Sequence, residues 1–103
     1  MGSVADFVEV ISACEELQQM GKVVRKVEFD SGSAVRGRSS KAREFEDVCG
    51  DTLFVMLEQR QRRVSKFKVR SSKKTKCITD VVVRYKERED TRRQTKGEYI
   101  AAT

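Results

Sequence analysis

Arg60, Arg62, Arg63, Lys66, Lys68, Arg70, Lys73, Lys74 and Lys76 fall between Gln59 and Thr79 with no carboxylate among them. Such a run can neutralise phosphates, meet an acidic protein surface, or keep the chain solvated by its own repulsion. The rest of the chain has the opposite sign. Residues 1–58 carry seven basic and eleven acidic side chains, and residues 59–103 carry fifteen and five, giving −4 and +10 within the overall +6. If Val64 to Arg70 is a strand, alternation brings Lys66, Lys68 and Arg70 to one side, about 6.6 Å apart. That spacing loosely matches successive phosphates along one nucleic-acid strand. Arg36 and Arg38 reach towards the same ridge from a second basic segment. Contacts of this kind are salt-sensitive and indifferent to sequence.

Catalytic chemistry finds less support. The chain has no histidine, which removes the usual general base near neutral pH and any Ser/His or Cys/His pairing. Glu15-Glu16 and Glu46-Asp47 are adjacent acids, the pattern of a solvated face. Gly32-Ser33-Ala34-Val35-Arg36-Gly37 fits neither a Walker nor a dinucleotide loop. Cys14, Cys49 and Cys77 form no CxxC pair, and without histidine they cannot complete a zinc site. They are expected to be small buried hydrophobes in a reducing compartment. Neither an enzyme nor a cofactor or metal is expected.

One hundred and three residues make one domain. The longest apolar run, Leu53 to Leu57, is far too short to cross a membrane. Met1-Gly2-Ser3 opens like a myristoylation site, but Asp6 stands where Ser or Thr is wanted. An intracellular protein, cytoplasmic or nuclear and away from membranes, is the expectation.

The elements that must carry the cations follow from periodicity. Val4, Phe7, Val8, Ile11, Cys14 and Leu17 predict a helix over Ser3 to Met20, with Ser3 and Asp6 in the form of a capping box and Gly21 as its stop. Its exposed face would hold Asp6, Glu9, Glu15 and Glu16. Lys22 to Asp30 alternates as a half-buried strand, with Val23, Arg25, Val27 and Phe29 on one face. Ser31 to Ser40 reads as a mobile basic loop.

Lys41 to Arg62 supports three readings. Ala42, Phe45, Val48, Cys49, Leu53 and Met56 keep helical spacing, which favours a second helix within 41–62. Gly50-Asp51 as a two-residue turn before a buried strand at Leu53 to Leu57 is the second, and a short second helix capped by Asp51 is the third. Further on, Val64 to Arg70 and Cys77 to Tyr85 predict an antiparallel hairpin closed by Lys73, Lys74 and Lys76. Most aromatic residues fall on predicted core faces, so base-stacking platforms look scarce, with Tyr99 the one aromatic to spare.

The order of helix, strand, helix and two long strands with a basic turn loosely resembles the Alba type of chromatin and RNA-binding domain. Gly32-Ser33-Ala34-Val35 running into Arg36-Gly37-Arg38 is similar to that group's entry to its second helix. The strand usual before the first helix is missing, and Ser31 to Ser40 is unusually polar for it. If 41–57 forms strands, a helix followed by a small barrel is similar to Sm-like proteins instead. Neither resemblance transfers a role to any residue.

The expected architecture is α+β, with the N-terminal helix packed on a mainly antiparallel sheet and a C-terminal basic β-hairpin. One domain would cover 1–86. A charged, partly flexible tail would cover 87–103, with a short terminal strand at Glu98 to Ala101. The expected function is non-catalytic binding of nucleic acid, RNA ahead of DNA, through Arg36, Arg38, Arg60, Arg62, Arg63, Lys66, Lys68, Arg70, Lys73, Lys74 and Lys76. The alternative is a protein-interaction or assembly module with oppositely charged faces, taking an acidic protein partner or a second copy of the chain.

Overall fold

A computed structural model of the chain describes residues 2–32 and 37–72 together with Ile78 and Val81. Helix α1 spans Val4–Gln19 and is followed by β1 (Val23–Gly32), β2 (Arg38–Asp47), β3 (Thr52–Arg60) and β4 (Arg63–Ser71). The strands form one antiparallel sheet in chain order. Among the described residues β1 and β4 are its edges, and α1 lies against β1 and β3. No helix among the described residues is long and apolar enough to cross a membrane.

Helix α1 begins as its sequence requires. The Asp6 amide donates to Ser3 Oγ at 3.2 Å, and the Ser3 amide donates to Asp6 Oδ2 at 2.9 Å. This reciprocal cap satisfies two donors that a helix start leaves open. Asp6 is therefore buried rather than part of an exposed acidic face. At the other end Gly21 adopts φ 76°, and the Lys22 amide reaches back to the Leu17 carbonyl at 2.9 Å. Glycine enters that left-handed region without a Cβ clash.

The core lies between α1 and one face of the sheet. Phe7, Val10 and Cys14 from α1 meet Val23, Phe45, Leu53, Val55 and Leu57, with Phe67 and Val69 packed alongside. Ile78 is fully buried in the same cluster, and Val81 packs against it. Both have helical backbone, whereas the sequence predicted a strand over Cys77 to Tyr85. Positions three apart share a helix face but point to opposite sides of a strand, so only helical backbone lets both reach one core. The rest of that span, and the 87–103 segment with the terminal strand predicted there, lie outside the described residues.

Residues 41–62 hold strands β2 and β3, not a second helix. In β3, Leu53, Val55 and Leu57 are buried while Phe54 and Met56 are half-buried on the opposite face. A period of two explains this run better than the helical spacing does. The connection is longer than Gly50-Asp51 alone. It covers 48–51, with Gly50 at φ 83°. Asp47 Oδ1 accepts the Cys49 and Asp51 amides, each at 2.9 Å. Asp51 in turn receives the Ser71 and Ser72 hydroxyls at 3.0–3.1 Å. Two buried carboxylates thus shape the turn and fasten the end of β4 to it.

Ser31 to Ser40 is not a loop throughout. Ser31 and Gly32 extend β1, and Arg38 to Ser40 begin β2, paired with Ser31↔Ser40 and Gly32↔Ser39 in register. Residues 33–36 lie outside the described residues. A β-bulge between Val23 and Arg25 also separates side chains that simple alternation would group. Val23 faces the core, while Arg25, Val27 and Phe29 face the other way.

Cys14 is buried as the sequence predicted, whereas Cys49 is exposed. Burial, with a smaller push from the Glu15 charge, raises the Cys14 thiol from 9.0 to about 12. Above pH 9 the unfolded chain releases this proton and the native one keeps it, so the contribution falls as pH rises towards the folded value. The stability advantage of wild type over Cys14→Ala should shrink by about 2–3 kcal/mol between pH 8 and pH 11. Urea unfolding of both proteins at those pH values checks this.

Candidate nucleic-acid interface

The sheet face turned away from α1 collects the cations. Register runs Arg38↔Arg60 between β2 and β3, and Arg60↔Arg63 between β3 and β4. The three arginines therefore form one row at the end of the sheet. The next rows end on Lys66 opposite Glu58, Lys68 opposite Met56, and Arg70 opposite Phe54. Arg62 sits in the turn between β3 and β4.

Arg63 and Lys66 are three apart, so a regular strand would send them to opposite faces. A β-bulge between Glu58 and Gln59 prevents this, because Glu58 pairs with Lys66 and Gln59 with Val64. Ser65 becomes the extra residue. Its Oγ lies 3.1 Å from Glu58 Oε1 and 3.2 Å from the Glu58 carbonyl oxygen. The bulge turns Val64 into the core and keeps both cations on the open face.

Among the described residues no ion pair compensates these charges, although Glu58 lies opposite Lys66 in register. The ion pairs among the described residues join Lys26 to Glu15 and Glu28, and Arg43 to Glu28 and Asp30. None engages Arg38, Arg60, Arg62, Arg63, Lys66, Lys68 or Arg70. The Lys68 ammonium is held below its ordinary value, first by its side-chain contact with Lys66 and then by the charges of Lys66 and Arg70. Lys26 has the opposite environment. Hydrogen bonds to Glu28 and Glu15 raise it.

The turn itself is strained. Gln61 and Arg62 have φ of 52° and 66°, the left-handed region that two-residue hairpin turns fill best with Asn-Gly. Non-glycine residues there cost on the order of 1–3 kcal/mol each. Replacing Gln61 by Asn together with Arg62 by Gly should raise stability by about 1–2 kcal/mol, read from the urea midpoint, while removing one cation from the interface.

The structure thus brings together seven of the eleven predicted site residues: Arg38, Arg60, Arg62, Arg63, Lys66, Lys68 and Arg70. Arg36, Lys73, Lys74 and Lys76 lie outside the described residues. The basic strand β4 belongs to a hairpin, and its described partner is the preceding strand β3. Sequence reasoning missed two aromatic residues on the same sheet face as the cations, Phe54 one strand from Arg70 and Phe29 three strands from Lys68. Phe29 is 51% exposed, and Phe54 is half-buried on the open face. The unbroken apolar run Leu53 to Leu57 was the available signal, since a strand apolar on both sides has something to place on each.

No protein-family model, curated protein or solved structure matches this chain. With strands at 41–57, the helix required by the Alba-like order is absent. The order of a helix followed by strands remains, but as an open four-stranded sheet among the described residues.

Proposed function

We propose that this protein binds nucleic acid without catalysis, RNA ahead of DNA, by seating the phosphate backbone on the basic edge of its open sheet face. The observation that carries this reading is the row of Lys66, Lys68 and Arg70, which joins no ion pair among the described residues and is continuous with Arg38, Arg60, Arg62 and Arg63. Like charges held together raise one another's energy, and a polyanion relieves that repulsion. The lowered Lys68 value has the same origin. Counterion release from the polyanion adds to the driving force and makes binding fall steeply with salt.

An edge strand studded with lysine is also a common defence against strand-to-strand aggregation. That role needs charge on β4 but not the arginine row across β2, β3 and β4. An intracellular setting, cytoplasmic or nuclear, suits the proposed ligand. Gel-shift titrations with single- and double-stranded RNA and DNA at two salt concentrations test the proposal. Retardation that weakens sharply at the higher salt is expected, and no retardation of any of the four at the lower salt would overturn it.

A further inference from the structure

We infer that the ligand is held as a single strand, with its bases stacked on the aromatic lane of the open face. This rests on the phosphate-binding reading above and specifies its substrate. Two cross-strand rows carry it. One runs Val27, Glu44, Phe54, Arg70, and the other runs Phe29, Ala42, Met56, Lys68. Neighbouring strands lie about 5 Å apart, so Phe54 and Met56 sit one strand away from Arg70 and Lys68. Phe29 continues the lane on β1, half-exposed at 51%.

The charges give the lane a direction. Lys68 and Arg70 occupy β4, whereas Glu44 and Glu46 occupy β2 on the same face, with Arg25 opposite Glu46 on β1. Phosphates are attracted to β4 and repelled from β2. Bases, which carry no net charge, can lie across β3 towards β1. A duplex keeps its bases stacked on one another and offers mainly phosphates and groove edges, so it cannot use these rings. Any base has a flat face to set on phenylalanine, so the contact tolerates sequence. Ala42, flanked in register by Phe29 and Met56, keeps the centre of the lane low. α1 packs on the other face of the sheet, so among the described residues no helix covers the lane.

The chain contains no tryptophan, so Phe54→Trp and Phe29→Trp each introduce a single fluorescent reporter. Titration with a single-stranded oligonucleotide should quench both, and an equal length of duplex should not. Phe29→Leu and Phe54→Leu retain bulk but remove the ring, and should each weaken single-strand binding about tenfold. Duplex affinity and the salt slope should stay unchanged in both variants. Circular dichroism confirms that each variant is folded. Unquenched reporters and unaltered affinity in the leucine variants, with salt-dependent binding intact, would overturn stacking and leave the phosphate reading standing. Absence of any binding by wild type would overturn both. A mass in light scattering that rises with concentration and returns to monomer in Phe29→Leu would assign this face to a second copy of the chain, and would also overturn the inference.

Discussion

Replacing Lys66, Lys68 and Arg70 together by glutamine is expected to lower nucleic-acid affinity roughly 100-fold at low salt. Each side chain supplies a charge-assisted contact worth on the order of 1 kcal/mol net, and three of them approach two decades in the dissociation constant. The loss should be the same for every sequence, because phosphate contacts carry no base information. Folding should be little affected. Lys66 and Arg70 are exposed, Lys68 is half-buried, and none is in an ion pair among the described residues. Relief of the mutual repulsion that lowers Lys68 works in the favourable direction. Fluorescence anisotropy with a labelled oligonucleotide, beside a urea melt of the same variant, separates the two effects. Unaltered affinity in a folded triple variant would mean that the β4 ridge is only a solvated edge.

Phe45→Ala should be the most damaging single substitution, costing about 3–5 kcal/mol. Phe45 is fully buried and pairs with Leu53, itself fully buried, and with Lys26 on β1. It therefore fills the centre of the only apolar layer joining the sheet to Phe7, Val10 and Cys14 among the described residues. A domain of this size has about 5–15 kcal/mol in total, so the variant would approach unfolding at room temperature. Phe29→Ala, on the exposed face, should cost far less. A pair of urea melts decides it, and equal losses at the two positions would contradict the assignment of the faces.

The parts of this fold that could be read from the chain are those where one local rule acts alone. Ser3, Asp6 and Gly21 mark the ends of α1 by their capping chemistry, and the helix forms between them. The alternation of Lys66, Lys68 and Arg70 with Phe67 and Val69 likewise places β4. The reading failed where a second influence intervened. On β2, Arg43 and Asp47 share the core side with Phe45. Arg43 is satisfied by ion pairs to Glu28 and Asp30, and Asp47 by amides of the turn that follows. Binary patterning cannot see such compensation, so the helical spacing of Ala42, Phe45 and Val48 looked better than it was.

Bulges are a second such influence on which face a side chain takes. The one near Val24 reverses the face of β1, so Val27 and Phe29 leave the core that their alternation with Val23 implied. The one at Ser65 lets Arg63 and Lys66 share a side. Each adds one residue to a period of two, and no count of hydrophobic positions records it. The cationic side of the candidate interface was therefore legible, but the aromatic residues on the same face were not.

The salt dependence of single-stranded RNA binding by the unaltered protein tests the central claim most directly. With four to seven of the described cations engaged, a plot of log affinity against log salt concentration should have a slope of roughly −3 to −5. A slope near zero, or no measurable binding at ~50 mM salt where this term is strong, would contradict the account.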